Sequence, residues 1–226
     1  MSELTPKAQR TRKRIFDVAI EQFMSKGYDE TTMRDIAKAA DCSLGLAYRY
    51  FDSKEAMVLM LWEELADDFA ERITKINTEH DTLTARYHAA MGAKIKQLEP
   101  YRAVIQGTIS GAMNPASGVA IVSDETTWYR DVVLAGLEEM VITASDAPNE
   151  DRSKQIAMIM YGVHLILTLV WVYDKTPNQR LTQDSLDFLK DGMKLLRPLL
   201  ILPPVGSIIE RLANIMAGVF KAENVT

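Results

Sequence analysis

The chain has 226 residues, a formal net charge of −5 at pH 7 and a single cysteine, Cys42. One cysteine excludes an internal disulfide framework and a multi-cysteine metal site, and we expect it to be a small buried apolar residue. The length suits one large or two small soluble domains, and the polar, basic start predicts no signal peptide and a cytoplasmic location.

The charge is distributed unevenly along the chain. Residues 1–54 hold ten Lys/Arg and eight Asp/Glu, whereas residues 55–226 hold sixteen and twenty-three. The basic excess is sharpest near the N-terminus, at Lys7, Arg10, Arg12, Lys13 and Arg14. Such a run suits the phosphate backbone of DNA. A solvated helix face has the same composition and remains the alternative.

Two helices are predicted before residue 41. Residues 7–26 carry an apolar stripe at helical spacing, and Gly27 is placed to end that helix. Thr32 with Asp35 three residues later resembles a capping box, which predicts the start of a second helix.

A turn and two further helices follow. Asp41 interrupts the second helix, and Ser43 can cap a third that is about two turns long. Asp52 with Glu55 repeats the capping-box pattern. It predicts a fourth helix that opens at Asp52 and runs to about Thr78.

The middle of the chain is also predicted to be helical. Residues 82–98 form one helix, which Pro100 ends, and a short helix reaches about Gly107. The segment 107–123 is rich in Gly, Ser and Ala and predicts a broken helix and loop. It is either a mobile portal for a ligand or a plain connection. Asp124 is expected to cap the next helix.

The late helices include the most apolar segment of the chain. Residues 156–173 carry no charged side chain over eighteen positions, slightly fewer than the roughly 20 residues of a membrane span. We interpret this segment instead as a helix buried on every side, against its own domain and a partner subunit. Residues 182–196 and 205–221 predict two amphipathic helices, of which the second packs over the C-terminal core.

The stretch from Thr32 to Lys54 has the organisation of a helix-turn-helix. In that motif the second helix enters the major groove, where some side chains contact bases and others hold phosphates. Gly45 permits close approach of the backbone, and Tyr48 can donate to a phosphate. Spacing alone leaves an ordinary three-helix corner equally open. The residues predicted to contact DNA are Thr32, Arg34, Ser43, Leu44, Gly45, Leu46, Tyr48, Arg49, Tyr50 and Lys54.

A larger set of residues between Thr11 and Met57 stands at fixed spacing. The set comprises Arg14, Ile15, Ala19, Phe23, Gly27, Tyr28, Thr31, Thr32, Arg34, Asp35, Ile36, Ala37, Ala40, Ser43, Gly45, Tyr48, Phe51, Ser53, Lys54, Glu55 and Ala56. On these residues the stretch resembles the N-terminal domain of the TetR family of bacterial transcription regulators. Asp41, Ala47 and Tyr50 depart from the family's commoner Gly, Leu and His, which bears on the operator sequence more than on DNA binding.

The resemblance implies an all-α protein of two domains. Residues 1–54 would be a three-helix, helix-turn-helix DNA-binding domain, and residues 55–226 a helical ligand-binding and dimerisation domain. The resemblance also implies a homodimer through the late helices, about 152–174 and 182–197, bound to double-stranded operator DNA. The expected function is that of a repressor released by an unknown small-molecule effector that is apolar or amphipathic. An activator stays open.

The residue pattern supports neither an enzymatic function nor a metal site. His80, His88 and His164 are too dispersed for a metal cluster. Neither a glycine-rich phosphate loop nor a Gly-x-Ser-x-Gly elbow occurs in the sequence. We therefore expect no catalytic residue, no metal site and no cofactor.

Large apolar side chains with polar tips predict an effector cavity in the C-terminal region. The candidates are Trp62, Phe69, Tyr87, Met91, Tyr101, Met113, Trp128, Tyr161, His164 and Trp171. Twelve methionines would let such a cavity adapt its shape. Packing in the core remains the alternative for each of these side chains, including His164.

Two other functions remain open at this point. A helical interaction protein would keep the fold but act on a protein partner instead of DNA. A lipid-associated protein would use the 156–173 helix. We expect no membrane association, because that helix is single and follows a soluble DNA-binding unit.

Overall fold

A computed structural model of the protein describes residues 5–199 and 203–220, and all regular secondary structure in those ranges is helical. The all-α fold class predicted from the sequence is confirmed. The chain divides into two compact units. Unit 1 extends to Glu64 and includes Glu99–Glu125, and unit 2 comprises Leu65–Leu98 and the chain from Thr126 onwards. The predicted domain boundary after residue 54 stays a prediction, and both predicted domains include residues outside the described ranges.

The helices follow one another with short connections. In chain order they are α1 (Pro6–Lys26), α2 (Met33–Ala39), α3 (Leu44–Tyr50), α4 (Lys54–Glu79), α5 (Leu83–Leu98), α6 (Arg102–Ala112), α7 (Thr127–Ile142), α8 (Glu150–Tyr173), α9 (Arg180–Leu196) and α10 (Pro203–Phe220). Unit 1 ends within α4, so this helix belongs to both units.

The start of α4 differs from the prediction. The helix begins at Lys54, and the Ser53 hydroxyl accepts a hydrogen bond from the Ala56 backbone N–H at 3.3 Å. Ser53 therefore caps α4, and the prediction that Asp52 opens this helix was wrong. Ser53, one residue after Asp52, takes the N-cap position because its hydroxyl reaches the third N–H of the helix.

The middle of the chain also differs. α6 continues past Gly107 to Ala112, so the break predicted in 107–123 is confined to the residues after α6. A Cβ at Gly107 would lie 2.8 Å from Tyr28 Cβ. Glycine at this position thus allows close packing within unit 1 and does not end the helix. Asp124 starts a short 3₁₀ turn, and α7 begins only at Thr127.

α1 supplies much of the core of unit 1. Its buried residues lie at helical spacing: Ile15, Phe16, Ala19, Ile20 and Phe23. Phe16 stacks on Phe51 with ring centres 6.5 Å apart, and Phe23 meets Tyr28 edge-on at 5.1 Å. Gly27 ends the helix with φ of 98°, a region that favours glycine. The predicted helix and its stop are confirmed.

α8 and α10 pack closely within unit 2. A Cβ at Gly162 of α8 would overlap the terminal methyl of Met216 on α10, so the Met216 side chain packs directly against this glycine. The Phe220 ring meets the Tyr161 ring edge-on at 5.1 Å. The helix predicted at 205–221 is described as far as Phe220, and Lys221 lies outside the described residues.

α8 and α9 each keep one apolar face exposed in the single chain. On α8 the exposed side chains are Ile166, Leu169 and Tyr173, and on α9 they are Leu181, Phe188 and Leu195. α8 is therefore not buried on every side by its own unit. It is long and apolar enough to cross a bilayer by length and composition, but half of its most apolar stretch is buried inside the fold, as in the core helix of a soluble protein.

Asp174 organises the connection between α8 and α9. It is 3% exposed, and its carboxylate accepts four hydrogen bonds of 2.6–2.9 Å from the backbone N–H and hydroxyl groups of Thr176 and Thr182. Asn178 and Gln179 in this connection have left-handed backbones. Burial alone would raise the pKa of the Asp174 carboxyl, but these hydrogen bonds outweigh it and hold the pKa below its usual range.

We expect Asp174→Asn to lower the melting temperature at pH 7 by several degrees, because an amide offers a single oxygen to these donors. The carboxyl pKa is depressed in the folded state, so its stabilisation is fully present above the unfolded value of about 4 and is lost as pH falls through the folded value. The difference from wild type should therefore shrink below about pH 4, as measured by circular dichroism.

Asp184→Asn is the matched control for this measurement. Asp184 lies on the exposed side of α9, and its contact with Arg180 is long and solvated. Its melting temperature should match wild type. Equal losses in the two variants, or a loss in Asp174→Asn that does not change with pH, would contradict the assignment.

Candidate DNA-binding surface and buried polar cluster

A capping box holds the start of α2 and also ties it to α1. The Thr32 hydroxyl accepts a hydrogen bond from the Asp35 N–H at 3.2 Å, and the Asp35 carboxylate accepts one from the Thr32 N–H at 2.9 Å. Lys26 in the last turn of α1 pairs with the same carboxylate at 2.9 Å. The Lys26 ammonium and the Thr32 hydrogen bonds hold the pKa of Asp35 well below its usual range. The predicted capping box is confirmed, and it joins two helices.

The turn between α2 and α3 is tight. Asp41 has φ of 46°, a left-handed conformation that Asp tolerates better than most residues. The Ser43 hydroxyl caps α3 by accepting from the Leu46 N–H at 3.1 Å, as predicted. Cys42 is half-buried, which is less than the burial expected from the sequence.

α3 turns one face to the core of unit 1 and the other to solvent. Ala47 is fully buried, and Phe51 at the end of the helix is 2% exposed. On the opposite face Tyr48 is 47% exposed, and Gly45 and Arg49 are also exposed. The other predicted contacts on this helix are half-buried: Leu44, Leu46 and Tyr50.

Gly45 is not required by packing within the chain. A Cβ placed on it would meet no atom within 4 Å, and its backbone is helical. Its exposed position leaves the helix backbone open to close approach by another molecule. Arg34 on α2 is exposed as well, so a cation is available beside the same turn.

Three of the predicted DNA contacts already have partners within the chain. The Thr32 and Ser43 hydroxyls cap α2 and α3. Lys54 donates from Nζ to the Tyr28 carbonyl at 2.6 Å, and its ammonium lies 4.3 Å from the centre of the Tyr28 ring. The sequence did not indicate this contact. It gives Lys54 a structural role, whatever further contact its remaining N–H groups make.

The basic N-terminal run divides into paired and exposed cations. The Arg12 guanidinium lies 5.0 Å from the centre of the Phe51 ring, and Lys13 pairs with Asp17 at 2.9 Å and Glu64 at 3.0 Å. Arg12 and Lys13 therefore take part in packing within unit 1. Lys13 is exposed despite these pairs, and Lys7, Arg10 and Arg14 are exposed as well.

A cluster of polar side chains lies inside unit 2. The Lys94 Nζ is 2.8 Å from His164 Nε2 and donates to the Tyr129 hydroxyl at 2.9 Å. The same ammonium lies 4.7 Å from the centre of the Phe69 ring. His164 Nδ1 is 3.0 Å from the Tyr161 carbonyl oxygen. These contacts join α4, α5, α7 and α8.

Burial controls the ionisation of this cluster. Lys94 is 5% exposed and His164 1%. Burial lowers the pKa of Lys94 to about 7. Burial, together with the nearby Lys94 charge, lowers the pKa of His164 well below its usual value. His164 is therefore neutral, donating from Nδ1 and accepting at Nε2. Within the described part of unit 2, Lys94 contacts neutral groups only.

The structure assembles part of the predicted effector site. The candidates that belong to unit 2 are Phe69, Tyr87, Met91, Trp128, Tyr161, His164 and Trp171, and all of these except Trp128 are buried. Trp62, Tyr101 and Met113 belong to unit 1, and Met113 is 64% exposed just after α6. The ligand assignment stays a prediction.

Lys94 and Tyr129 are not among the residues predicted from the sequence to line the effector cavity. Lys94 follows Tyr87 by seven positions and Met91 by three, so helical periodicity places it on the buried face of α5. Lysine is rarely buried, and its type therefore argued for a solvated position. The helical spacing of Lys94 indicated a buried position, and the structure confirms that Lys94 is buried.

Comparison with known proteins identifies relatives of the chain. The sequence pattern of the family described as bacterial regulatory proteins, tetR family, matches residues 15–61. The transcriptional repressor KstR of Mycolicibacterium smegmatis is 30% identical over 182 residues, which cover 76% of this chain and 81% of KstR. The uncharacterised regulator YuxN of Bacillus subtilis is 37% identical over 75 residues, 33% of this chain and only 26% of YuxN.

Solved structures share the fold. FadR of Thermus thermophilus, a TetR-family repressor solved in complex with lauroyl-CoA, is 19% identical with a TM-score of 0.61, over 80% of this chain and 94% of FadR. Identity at that level establishes the fold alone. The identity to KstR extends far beyond the helix-turn-helix, and the chain therefore belongs to the TetR family of DNA-binding transcription regulators.

Proposed function

We propose that the protein is a homodimeric repressor. It binds a pseudo-palindromic operator through the exposed face of α3 in each protomer and is released by an apolar or amphipathic ligand in unit 2. The observation that carries the proposal is the exposure of Gly45, Tyr48 and Arg49 on a helix whose other face is fixed in the core by Ala47 and Phe51.

The exposed side chains on and beside α3 have the chemistry that an operator requires. Arg34 and Arg49 can hold phosphate or donate to guanine, and Tyr48 can donate its hydroxyl to a phosphate. Gly45 lets the helix backbone approach the groove closely. In a dimer, two such helices about 34 Å apart would reach successive major grooves. Thr32, Ser43 and Lys54 are proposed to act mainly by holding this surface in shape.

Dimerisation is proposed through α8 and α9. Leu181, Phe188 and Leu195 follow one another at seven-residue intervals on α9 and are 49–75% exposed. Seven-residue spacing aligns side chains along one helix face, as in the seam of a helical bundle. Ile166 and Tyr173 form a similar stripe on α8. A two-fold axis beside these helices would cover both stripes with their symmetry mates.

Effector release is proposed to act on unit 1 from unit 2. The buried cluster around Lys94 and His164 supports a ligand site in unit 2, and the fold is shared with FadR, which was solved in complex with lauroyl-CoA. α4 continues from one unit into the other and supplies a covalent connection between them. The ligand must bind the released state more tightly than the operator-bound state. A ligand with equal affinity for both states would not change their populations.

The remaining expectations follow from this function. TetR-family proteins are transcription regulators and not enzymes, as expected from the sequence. We propose a cytoplasmic location, because double-stranded operator DNA is the ligand of the helix-turn-helix. α8 is proposed to be covered by the partner subunit and not by lipid.

Arg49→Ala should weaken binding of operator DNA by about tenfold or more, because one charged contact per protomer is lost. The operator is first selected from a random DNA pool with the wild-type protein, and affinity is then measured by fluorescence anisotropy over a range of salt. Loss of a phosphate contact would also reduce the salt dependence by about one unit per protomer. Loss of a base contact would relax the selected sequence at one position.

Arg72→Ala is the control for that experiment, since it removes an equally exposed arginine from the unit 2 part of α4. It should leave DNA affinity and salt dependence unchanged. Wild-type affinity in Arg49→Ala would show that the outward face of α3 does not contact DNA.

Phe188→Glu combined with Leu195→Glu should convert the dimer to a monomer. Each side chain occurs twice in a symmetric interface, and burying a charge without a partner is strongly unfavourable. We expect the dimer dissociation constant to rise by at least about 100-fold, as measured by light scattering during size-exclusion chromatography. Ile142→Glu at the end of α7 is the control and should remain dimeric. A dimeric double variant would place the interface elsewhere.

A further inference from the structure

Arg130 on α7 is a second buried cation in unit 2. It is 2% exposed and donates from Nη2 to the Thr127 hydroxyl at 2.9 Å. Its Nε and Nη1 have no hydrogen-bond partner among the residues that the structure describes. A guanidinium keeps its proton in proteins, so this charge cannot be removed by ionisation. The side chain is enclosed, charged and bonded through one nitrogen only.

Arg86 shows how the same unit accommodates a buried arginine with a structural role. It is 5% exposed, and all three of its nitrogens donate, to three backbone carbonyls and the Thr143 hydroxyl at 2.7–3.1 Å. These acceptors lie near the C-terminal ends of α4 and α7, where carbonyls carry partial negative charge. Burial of an arginine in unit 2 therefore does not by itself leave guanidinium nitrogens unbonded.

Arg130 lies in the same unit as Lys94 and directly follows Tyr129, which Lys94 contacts. Burial raises the pKa of Tyr161, the Arg130 charge lowers it, and the Asp131 charge raises it. The Tyr161 ring lies 5.3 Å from the His164 ring, which contacts Lys94. Tyr129, next to Arg130 in sequence, accepts a hydrogen bond from Lys94. Lys94 therefore contacts His164 directly, and the Arg130 charge acts on the neighbouring Tyr161.

No carboxylate is bonded to Lys94 or Arg130 in the described part of the chain. Neither Lys94 nor Arg130 forms an ion pair there, and their hydrogen-bond partners are hydroxyl and imidazole groups. Asp131, the acidic neighbour of Arg130, is exposed, and its charge acts on the Tyr161 hydroxyl against that of Arg130. Buried charges are normally paired with a buried partner, and Lys94 and Arg130 lack one in the described part of the chain.

We propose that Lys94 and Arg130 bind the carboxylate of an amphipathic effector. The proposal rests on the proposed function, in which unit 2 holds the effector, and names the chemical class of that ligand. A carboxylate supplies a negative charge and two acceptor oxygens for donors that the chain leaves unbonded. The buried side chains available to an apolar body in the same unit are Phe69, Tyr87, Met91, Tyr161 and Trp171.

The ionisation of Lys94 agrees with this assignment. Without an anion, burial lowers its pKa to about 7, so a substantial fraction of the amine is neutral near pH 7. A carboxylate beside it favours the ammonium form. A neutral analogue of the same shape would leave both cations uncompensated, so the site discriminates acids from alcohols by charge.

The first experiment compares acids with neutral analogues on the full-length protein. Decanoate, phenylhexanoate and adamantaneacetate are each tested beside the matching primary alcohol, below micelle concentrations, by thermal shift and calorimetric titration. We expect at least one acid to raise the melting temperature, and its alcohol to bind at least about tenfold more weakly. Equal binding of acid and alcohol, or no shift with any acid, overturns the proposal. Decanoyl-CoA is included, and binding of this thioester without binding of any acid overturns it as well.

The second experiment compares two buried arginines. Arg130→Met should keep or raise the melting temperature of the ligand-free protein, because it replaces an uncompensated charge, and should weaken acid binding at least about tenfold. Arg86→Met is the matched control and should lower the melting temperature, because it leaves four acceptors unbonded. An Arg130→Met protein as destabilised as Arg86→Met overturns the proposal. Lys94→Met is a second test, and wild-type acid affinity in either cation variant also overturns it.

Operator binding in the same samples separates this proposal from the proposed function. Release of DNA by a neutral compound and not by acids would support the proposed ligand-controlled repressor. The same result would contradict the proposal that the ligand is a carboxylate. Acid binding that depends on Lys94 and Arg130, without any effect on DNA, would confirm the anion site and contradict effector release.

Discussion

Burial of the inner face of α3 is the constraint on which the proposed DNA-binding surface depends. Ala47 and Phe51 are both enclosed in unit 1, and only one rotation of the helix about its axis keeps them there. That rotation directs Tyr48 and Arg49 outward, because helix geometry fixes the angle between successive side chains. The left-handed Asp41 sets where the helix can begin. The proposed recognition of DNA therefore depends on the buried side chains of Ala47 and Phe51 as well as on exposed cations.

The buried charged side chains of unit 2 differ in how completely they are hydrogen-bonded. Asp174 accepts four hydrogen bonds at the α8–α9 connection, and Arg86 donates four near the ends of α4 and α7. These charges stabilise the fold. Lys94 and Arg130 are bonded to hydroxyl and imidazole groups and to no carboxylate within the described residues, unlike Asp174 and Arg86. Proteins keep such local losses of stability where a ligand makes use of them.

Local interactions could be predicted from the sequence, and distant ones could not. The caps at Thr32 and Ser43 and the left-handed Asp41 involve residues within a few positions of one another, so their spacing is visible in the chain. Helix order follows from periodicity for the same reason. The bond from Lys54 to the Tyr28 carbonyl joins residues 26 positions apart, and no local pattern indicates it.

The proposed ligand preference of unit 2 depends on residues whose burial is decided by the fold. Lys94 shares a helix face with Tyr87 and Met91, yet only the packing of α7 and α8 around it decides whether it is a solvated lysine or an enclosed cation. Solved relatives share the backbone of the fold at low sequence identity, and a shared backbone does not carry side-chain chemistry with it. The ligand preference of unit 2 must therefore be derived from its own charges, and those charges favour an anion.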